Sequence, residues 1–537
     1  MAQLSVQNSN VIIFVSYAVL LVSGLSLALK LRHQSKVLIN SFATEWHCAN
    51  RTQTGNSTIL TLLAYYQFSN LREAIPLALN FIASALGSGI LFSYPQLATI
   101  AGVQGVVTYA ITSSAPLMVF AYLGPVIRKK CPDGFVLTEW ARQRYGVTCS
   151  LYLSFLTLVT MFLYMVAELS ALHQIMNALT GIDGMRFVIV ECIITTVYTA
   201  FGGFRISFVT DNIQGAMVIG LSILFARHIW LHTNKYDKVF IATVTIGFET
   251  KIDQRLVDSS GLTDSSLLGW QLLYILPMAV LTNDFFLSNF WIRTFASKTD
   301  EELWIGVSIA TMTVMIILTL VGTTGLIACW TGAFDPSDPM LDGSIAFFYL
   351  LKQLPAWIIG IILVMVVTLS TAAFDSLQSA MISTASNDFF RNRLNVWWVR
   401  LSVLIVMLPV VVIALKAPSI LRIYLISDLI SSSTIPLLVL GLMDSMDFLH
   451  GYDIVAGGVG GIFSVFIFGV IYYGNIRQGI RLTLLEEGLY ANDWSVFGAF
   501  VSAPLGGIFW GLGSSCVRKG YRILMRKSKG SMTHCIE

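Results

Sequence analysis

The chain is a succession of apolar runs, each about 20 residues long, and this constrains its fold more than any motif. A helix that crosses a bilayer needs that length. Thirteen runs lie near 11–29, 75–98, 105–127, 149–173, 187–201, 211–230, 267–287, 305–330, 356–386, 400–415, 420–442, 453–473 and 494–516. Hydrophobic residues make up 55% of the chain and charged residues 12%, about half the charge of a soluble protein. So little charge cannot cover a water-soluble surface over 537 residues. The expectation is an all-α polytopic membrane protein with about 13 transmembrane helices. A transmembrane barrel is excluded, because its strands would be short and alternating.

Other classes fall away on the same reading. The net charge of +3 is too small for a nucleic-acid partner. The seven cysteines form no CxxC pair and no metal-ligand spacing. No phosphate-binding loop, nucleophile elbow or H-E-x-x-H is present, so neither an enzyme nor a cofactor is expected. The first run lacks a basic leader and a small-residue cleavage site, and reads as a retained helix.

Basic residues set the orientation. With the N-terminus outside, 22 of the 33 Lys and Arg fall in inner loops and the tail. Arg518, Lys519, Arg522, Arg526, Lys527 and Lys529 then hold the C-terminus in the cytoplasm. The sequons at Asn50 and Asn56 lie in a loop assigned to the inside and argue the other way. The plasma membrane is the expected location.

Two runs are interrupted. The span 75–98 holds Leu86-Gly87-Ser88-Gly89-Ile90 at its centre, where unwound backbone could face a solute. Tight packing through small residues is the alternative. The span 267–287 carries Pro277 and then Leu281-Thr282-Asn283-Asp284. Five spans separate the two, so they occupy equivalent places in two halves of opposite topology. That is the pattern of an inverted-repeat transporter with a midplane site. The expected solute contacts are Gly87, Ser88, Gly89, Asn283 and Asp284. Asn283 would suit a urea-like planar solute and Asp284 an amine.

Carboxylates inside spans each need a partner, a proton or water. Candidates are Glu168, Glu191, Asp284, Asp375 and Asp428. Glu191 is only a few residues inside its run, which favours a structural role at a helix end.

The residues resemble the sodium:solute symporter family, and within it the urea–proton symporter branch of fungi and plants. Asn177–Gly181, Tyr198–Phe204 with Gly202-Gly203, then Phe208–Asp211 and Gln214, are similar to the signature around the fourth core helix. Phe135–Gly146 resembles the loop before the third, Asn289–Arg293 the end of the sixth, and Asp375-Ser376 with Asp388 the eighth. The likeness runs from about 75 to 400. It implies a leucine-transporter-like fold of two inverted five-helix repeats. The expected organisation is an extra N-terminal helix with a basic flank (1–36), repeats over 75–230 and 267–442, two additional helices over 453–516, and a basic cytoplasmic tail over 517–537. Asp211, Gly202, Gly203, Asp428 and Glu168 are expected to gate or support the site.

One departure bears on the coupling ion. Sodium-coupled relatives carry a hydroxyl pair three positions before the Asp-Ser of the eighth core helix. Here Ala372 and Ala373 stand there, and alanine offers a cation no oxygen. Ser370 and Thr371 are two residues early, about 200° around the helix. The expected coupling ion is therefore a proton rather than sodium. The expected ion-coupling residues are Asp375, Ser376, Ala85, Ser370 and Thr371. The functional expectation is a symporter of a small polar solute, urea or a polyamine, working in a lipid bilayer. The alternative is a transporter-like sensor or structural subunit that no longer transports.

Overall fold

The structure is a computed structural model that describes residues 6–34, 69–132, 136–181, 183–233, 254–336, 342–352, 355–390, 396–416, 419–486 and 493–533. The sequons Asn50 and Asn56 and the loop 234–253 lie outside the described residues. Nearly all regular structure is helical: α1 (Val6–Gln34), α2 (Ser69–Ala85), α3 (Ile90–Ser114), α4 (Leu117–Lys130), α5 (Leu137–Tyr145), α6 (Val147–Thr180), α7 (Met185–Thr233), α8 (Gln254–Ser260), α9 (Leu267–Asp284), α10 (Ser288–Ala296), α11 (Asp300–Trp330), α12 (Ala346–Leu351), α13 (Ala356–Asp388), α14 (Val396–Ala414), α15 (Ile420–Leu440), α16 (Gly451–Tyr473), α17 (Ile476–Thr483) and α18 (Ser495–Thr533).

Among the described residues nine helices are long and apolar enough to cross a membrane, and α9 with α10 makes a tenth across a 60° bend. The sequence expectation was 13 spans. The difference has a physical cause. A span broken at its centre leaves halves too short to cross alone, and α2 and α14 have short apolar stretches.

Two sets of helices surround the centre. α11 packs on α2, α3 and α4, while α9 packs on α3 and α15. On the other side α13 packs on α6 and α7, with α14 against α6 and α7. α1 lies outside on α7 and α13, and α16 with α18 forms a pair against α15.

The turn expected at Gly202-Gly203 falls inside α7, whose backbone is helical through both residues. Thr199 and Thr210 both donate to the carboxylate of Asp375, at 2.6 and 3.3 Å. On a straight helix they would stand about 16 Å apart. α7 is therefore not straight between them, although its backbone stays helical.

α3 also bends, at Gly102, with φ 62° and ψ −154°. A Cβ there would lie 2.0 Å from the Leu262 carbonyl oxygen. That carbonyl instead accepts the Val103 N–H at 2.9 Å, which ties α3 to the segment before α9.

Candidate functional site

The first interruption falls where the sequence placed it. α2 ends at Ala85 and α3 begins at Ile90, so Leu86, Gly87, Ser88 and Gly89 form the break. Its polar groups turn to Glu168 of α6. Glu168 Oε2 accepts the Ser88 N–H at 2.7 Å and the Ser88 hydroxyl at 2.9 Å. Glu168 Oε1 accepts the Tyr424 hydroxyl at 3.1 Å. A helix end inside a membrane must satisfy its freed N–H groups within the protein, and this carboxylate does so.

The glycines make room for it. A Cβ on Gly87 would lie 2.0 Å from Glu168 Oε1, and one on Gly89 would lie 2.5 Å from the Tyr424 hydroxyl. The sequence offered solute approach or helix packing as the reason for two glycines. The structure gives a third: a protein carboxylate approaches the backbone there.

The second interruption lies later than expected. α9 stays helical through Leu281, Thr282, Asn283 and Asp284, and the chain breaks at Phe285–Leu287. The run remains helical because its polar side chains find partners. Thr282 bonds back to the Met278 carbonyl at 2.7 Å. Asn283 donates to the Tyr164 hydroxyl at 2.5 Å and accepts from Ser427 and Ser431 at 3.1 and 3.0 Å. Asn283 is fully buried, and its carbonyl oxygen is already occupied by protein hydroxyls.

Between the two breaks lies a cavity of about 130 Å³. Ala85, Gly87, Glu168, Asp284, Asn289 and Asp428 line it, together with Tyr94, Tyr109, Tyr164 and Tyr424. No Lys, Arg or His lines it. Tyr94 and Tyr109 stack with centroids 3.9 Å apart, and Tyr164 meets Tyr424 edge to face at 4.8 Å. Asp428 Oδ1 is buried without a hydrogen-bond partner. The tyrosines were not singled out in the sequence. A signal was present: Tyr164 and Glu168, like Tyr424 and Asp428, stand four apart on one helix face.

The ion-coupling candidates fall into separate groups. Asp375 binds Thr199 and Thr210, as above. Ser376 bonds both oxygens of Asp211 at 3.2 and 3.1 Å and lies 3.3 Å from the Ser84 hydroxyl. Arg293 joins this group. Its guanidinium pairs with Asp211 and donates to Ser376 at 2.9 Å and to the Asn289 carbonyl at 2.7 Å. Ser370 points elsewhere, to Glu191 at 2.7 Å. The Thr371 hydroxyl is buried without a partner, and Ala372 and Ala373 are buried. Ser370 and Thr371 therefore do not join Asp375, for the reason of helical phase. Among the described residues no cluster of His, Cys, Asp or Glu could hold a metal ion.

The profile of the sodium:solute symporter family matches residues 69–446. The chain is 47% identical over 521 residues to a protein described as spermidine transporter DUR31 of Candida albicans, covering 96% of this chain and 91% of that one. A 126-residue stretch is 25% identical to a probable urea active transporter 1 of Schizosaccharomyces pombe, covering 23% of this chain and 19% of that one. Among solved structures, a Na+-coupled sialic acid symporter aligns with a TM-score of 0.67 at 14% identity, covering 95% of this chain and 97% of that one. That likeness shows the fold, which is leucine-transporter-like.

Proposed function

The chain belongs to the sodium:solute symporter family, and from that premise we propose that it carries a linear polyamine across the plasma membrane, coupled to protons. It is a solute symporter of a membrane, not an enzyme. The choice of polyamine over urea is carried by one observation. The cavity between the broken helices presents Asp284, Asp428 and Glu168 with four tyrosines and no basic group. An unpaired buried carboxylate is costly and is relieved by a cation. Tyrosine faces suit both ammonium groups and the methylenes between them. A neutral planar solute gains nothing from this charge, and the Asn283 carbonyl that would suit it is engaged by Ser427 and Ser431.

Proton coupling is supported by Ala372 and Ala373, which give sodium no ligand. The orientation, N-terminus outside and C-terminus cytoplasmic, is supported by the bias in basic residues.

The test is uptake of spermidine into liposomes holding the purified protein, with acid imposed outside. Uphill uptake is expected. Asp284→Asn and Asp428→Asn should each raise KM about tenfold or more, the worth of a lost charge-assisted contact. Urea uptake that spermidine does not inhibit would sink this reading. Saturable spermidine binding without flux would point to the sensor instead.

A further inference from the structure

Glu191 lies apart from the cavity and has no part in the reading above. The sequence favoured a helix-end role for it, but the surroundings are different. Its side chain is 0% exposed. Tyr17 of α1 donates to Oε2 at 2.9 Å, and Ser370 of α13 donates to Oε1 at 2.7 Å. Tyr17 sits mid-way along the apolar stretch Gln7–Ser26, and Ser370 lies near the middle of α13. The carboxyl is therefore deep between three helices, and α1 covers it with Ile13, Tyr17 and Leu20, all buried.

Three buried acids of this protein have three kinds of surroundings. Asp211 has the Arg293 guanidinium as a buried ion-pair partner. Glu168 accepts the Ser88 N–H and hydroxyl on Oε2 and the Tyr424 hydroxyl on Oε1, and it lines the cavity already described. Glu191 faces two hydroxyls. A hydroxyl donates to a carboxylate and equally accepts from a carboxylic acid, so this pocket accommodates either form.

The charges around Glu191 point the same way. α1 contributes Tyr17, α7 itself Cys192, and α6 the acid Glu168. Asp375, further along α13, is held by Thr199 and Thr210. No described Lys, Arg or His bonds Glu191. Without a cation, a carboxyl buried at this depth is neutralised by a proton. Asp375 lies close enough to Asp211, the ion-pair partner of Arg293, for their charges to interact.

We infer that Glu191 is the carboxyl that binds the coupling proton, in a pocket closed by Tyr17 of α1 and Ser370 of α13. The role rests on the proton-coupled reading. α1, which lies outside the two repeats, thereby supplies part of the ion machinery.

The experiment uses the full chain in liposomes and compares spermidine uptake with and without an imposed pH gradient. In the wild type the gradient should increase uptake several-fold. In Glu191→Gln, whose amide keeps the size of the acid but binds no proton, the ratio should fall to about 1. Tyr17→Phe removes one donor to the carboxylate, so the pH midpoint of uptake should move about one unit toward alkaline. A Glu191→Gln protein that responds to the gradient as the wild type does overturns the inference, and so does a Tyr17→Phe protein with an unchanged pH profile. If Glu191→Gln does not reach the membrane, infrared titration of wild type and Tyr17→Phe decides. A protonated-carboxyl band that titrates and moves in the variant supports the site; a band the variant leaves unmoved overturns it. Failure of the wild type to respond to the gradient would instead overturn proton coupling itself.

Discussion

Gly87 and Gly89 set how closely a carboxylate can approach the backbone of the first broken helix. With a Cβ at 87 placed 2.0 Å from Glu168 Oε1, Gly87→Ala must push the carboxylate away from the Ser88 N–H. A hydrogen bond to a charged group is worth about 1.5–3 kcal/mol. Initial uptake by Gly87→Ala should therefore fall about tenfold or more. Gly220→Ala, whose Cβ meets nothing within 4 Å, should leave uptake unchanged. A wild-type rate from Gly87→Ala delivered normally to the membrane would show that Glu168 does not hold the break. At this scale the glycines were legible, because no other residue permits such approach. Their partner was not, because Glu168 lies 80 residues away. Asp284 and Asp428 were legible as costly charges, but that they face one cavity follows only from the packing of α9 against α15.

Breaks and bends do at the level of helices what glycines do at the level of atoms. The 60° bend between α9 and α10 directs α10 toward α13, where Arg293 meets Asp211 and Ser376. Both partners of the ion pair are 0% exposed. Removing one side of a buried pair costs about 3–5 kcal/mol. Arg293→Ala should thus be strongly destabilised, seen as a large drop in melting temperature of the detergent-solubilised protein. Its effect should not vanish in high salt, because a buried pair is little screened. A melting temperature equal to wild type would refute the role of this pair in joining α10 to α7 and α13. Gly102 makes a separate case. Its φ of 62° with ψ of −154° lies in a region open essentially only to glycine, at a cost of about 1–3 kcal/mol for a side chain, and the Leu262 carbonyl blocks a Cβ. Gly102→Ala should lower the melting temperature while leaving the affinity for spermidine near that of wild type. Run length made the elements readable from the sequence. The exact break after Asp284 was not readable, because the partners of the buried Asn283 side chain, Tyr164, Ser427 and Ser431, lie on other helices.

For the whole molecule the orientation remains a prediction with a direct check. A tag placed after Glu537 should be stained only after permeabilisation, and Asn50 and Asn56 should carry no glycan. Staining of intact cells would reverse the topology. Hydrophobicity determined by itself that this chain is a polytopic helical membrane protein, since a 55% hydrophobic composition in runs of spanning length has no other stable solvent than lipid and protein. The spacing of two interruptions, five spans apart, pointed to two related halves. Which groups share a site was decided by tertiary structure alone. Ser370 and Asp375 are five residues apart on α13, yet one bonds Glu191 and the other Thr199 and Thr210. The physical reason is helical phase: five residues turn a side chain by about 500°, or 140° net, so neighbours in sequence face different helices. Tyr17 and Glu191, 174 residues apart, meet because α1 packs on α7, and no local pattern records that.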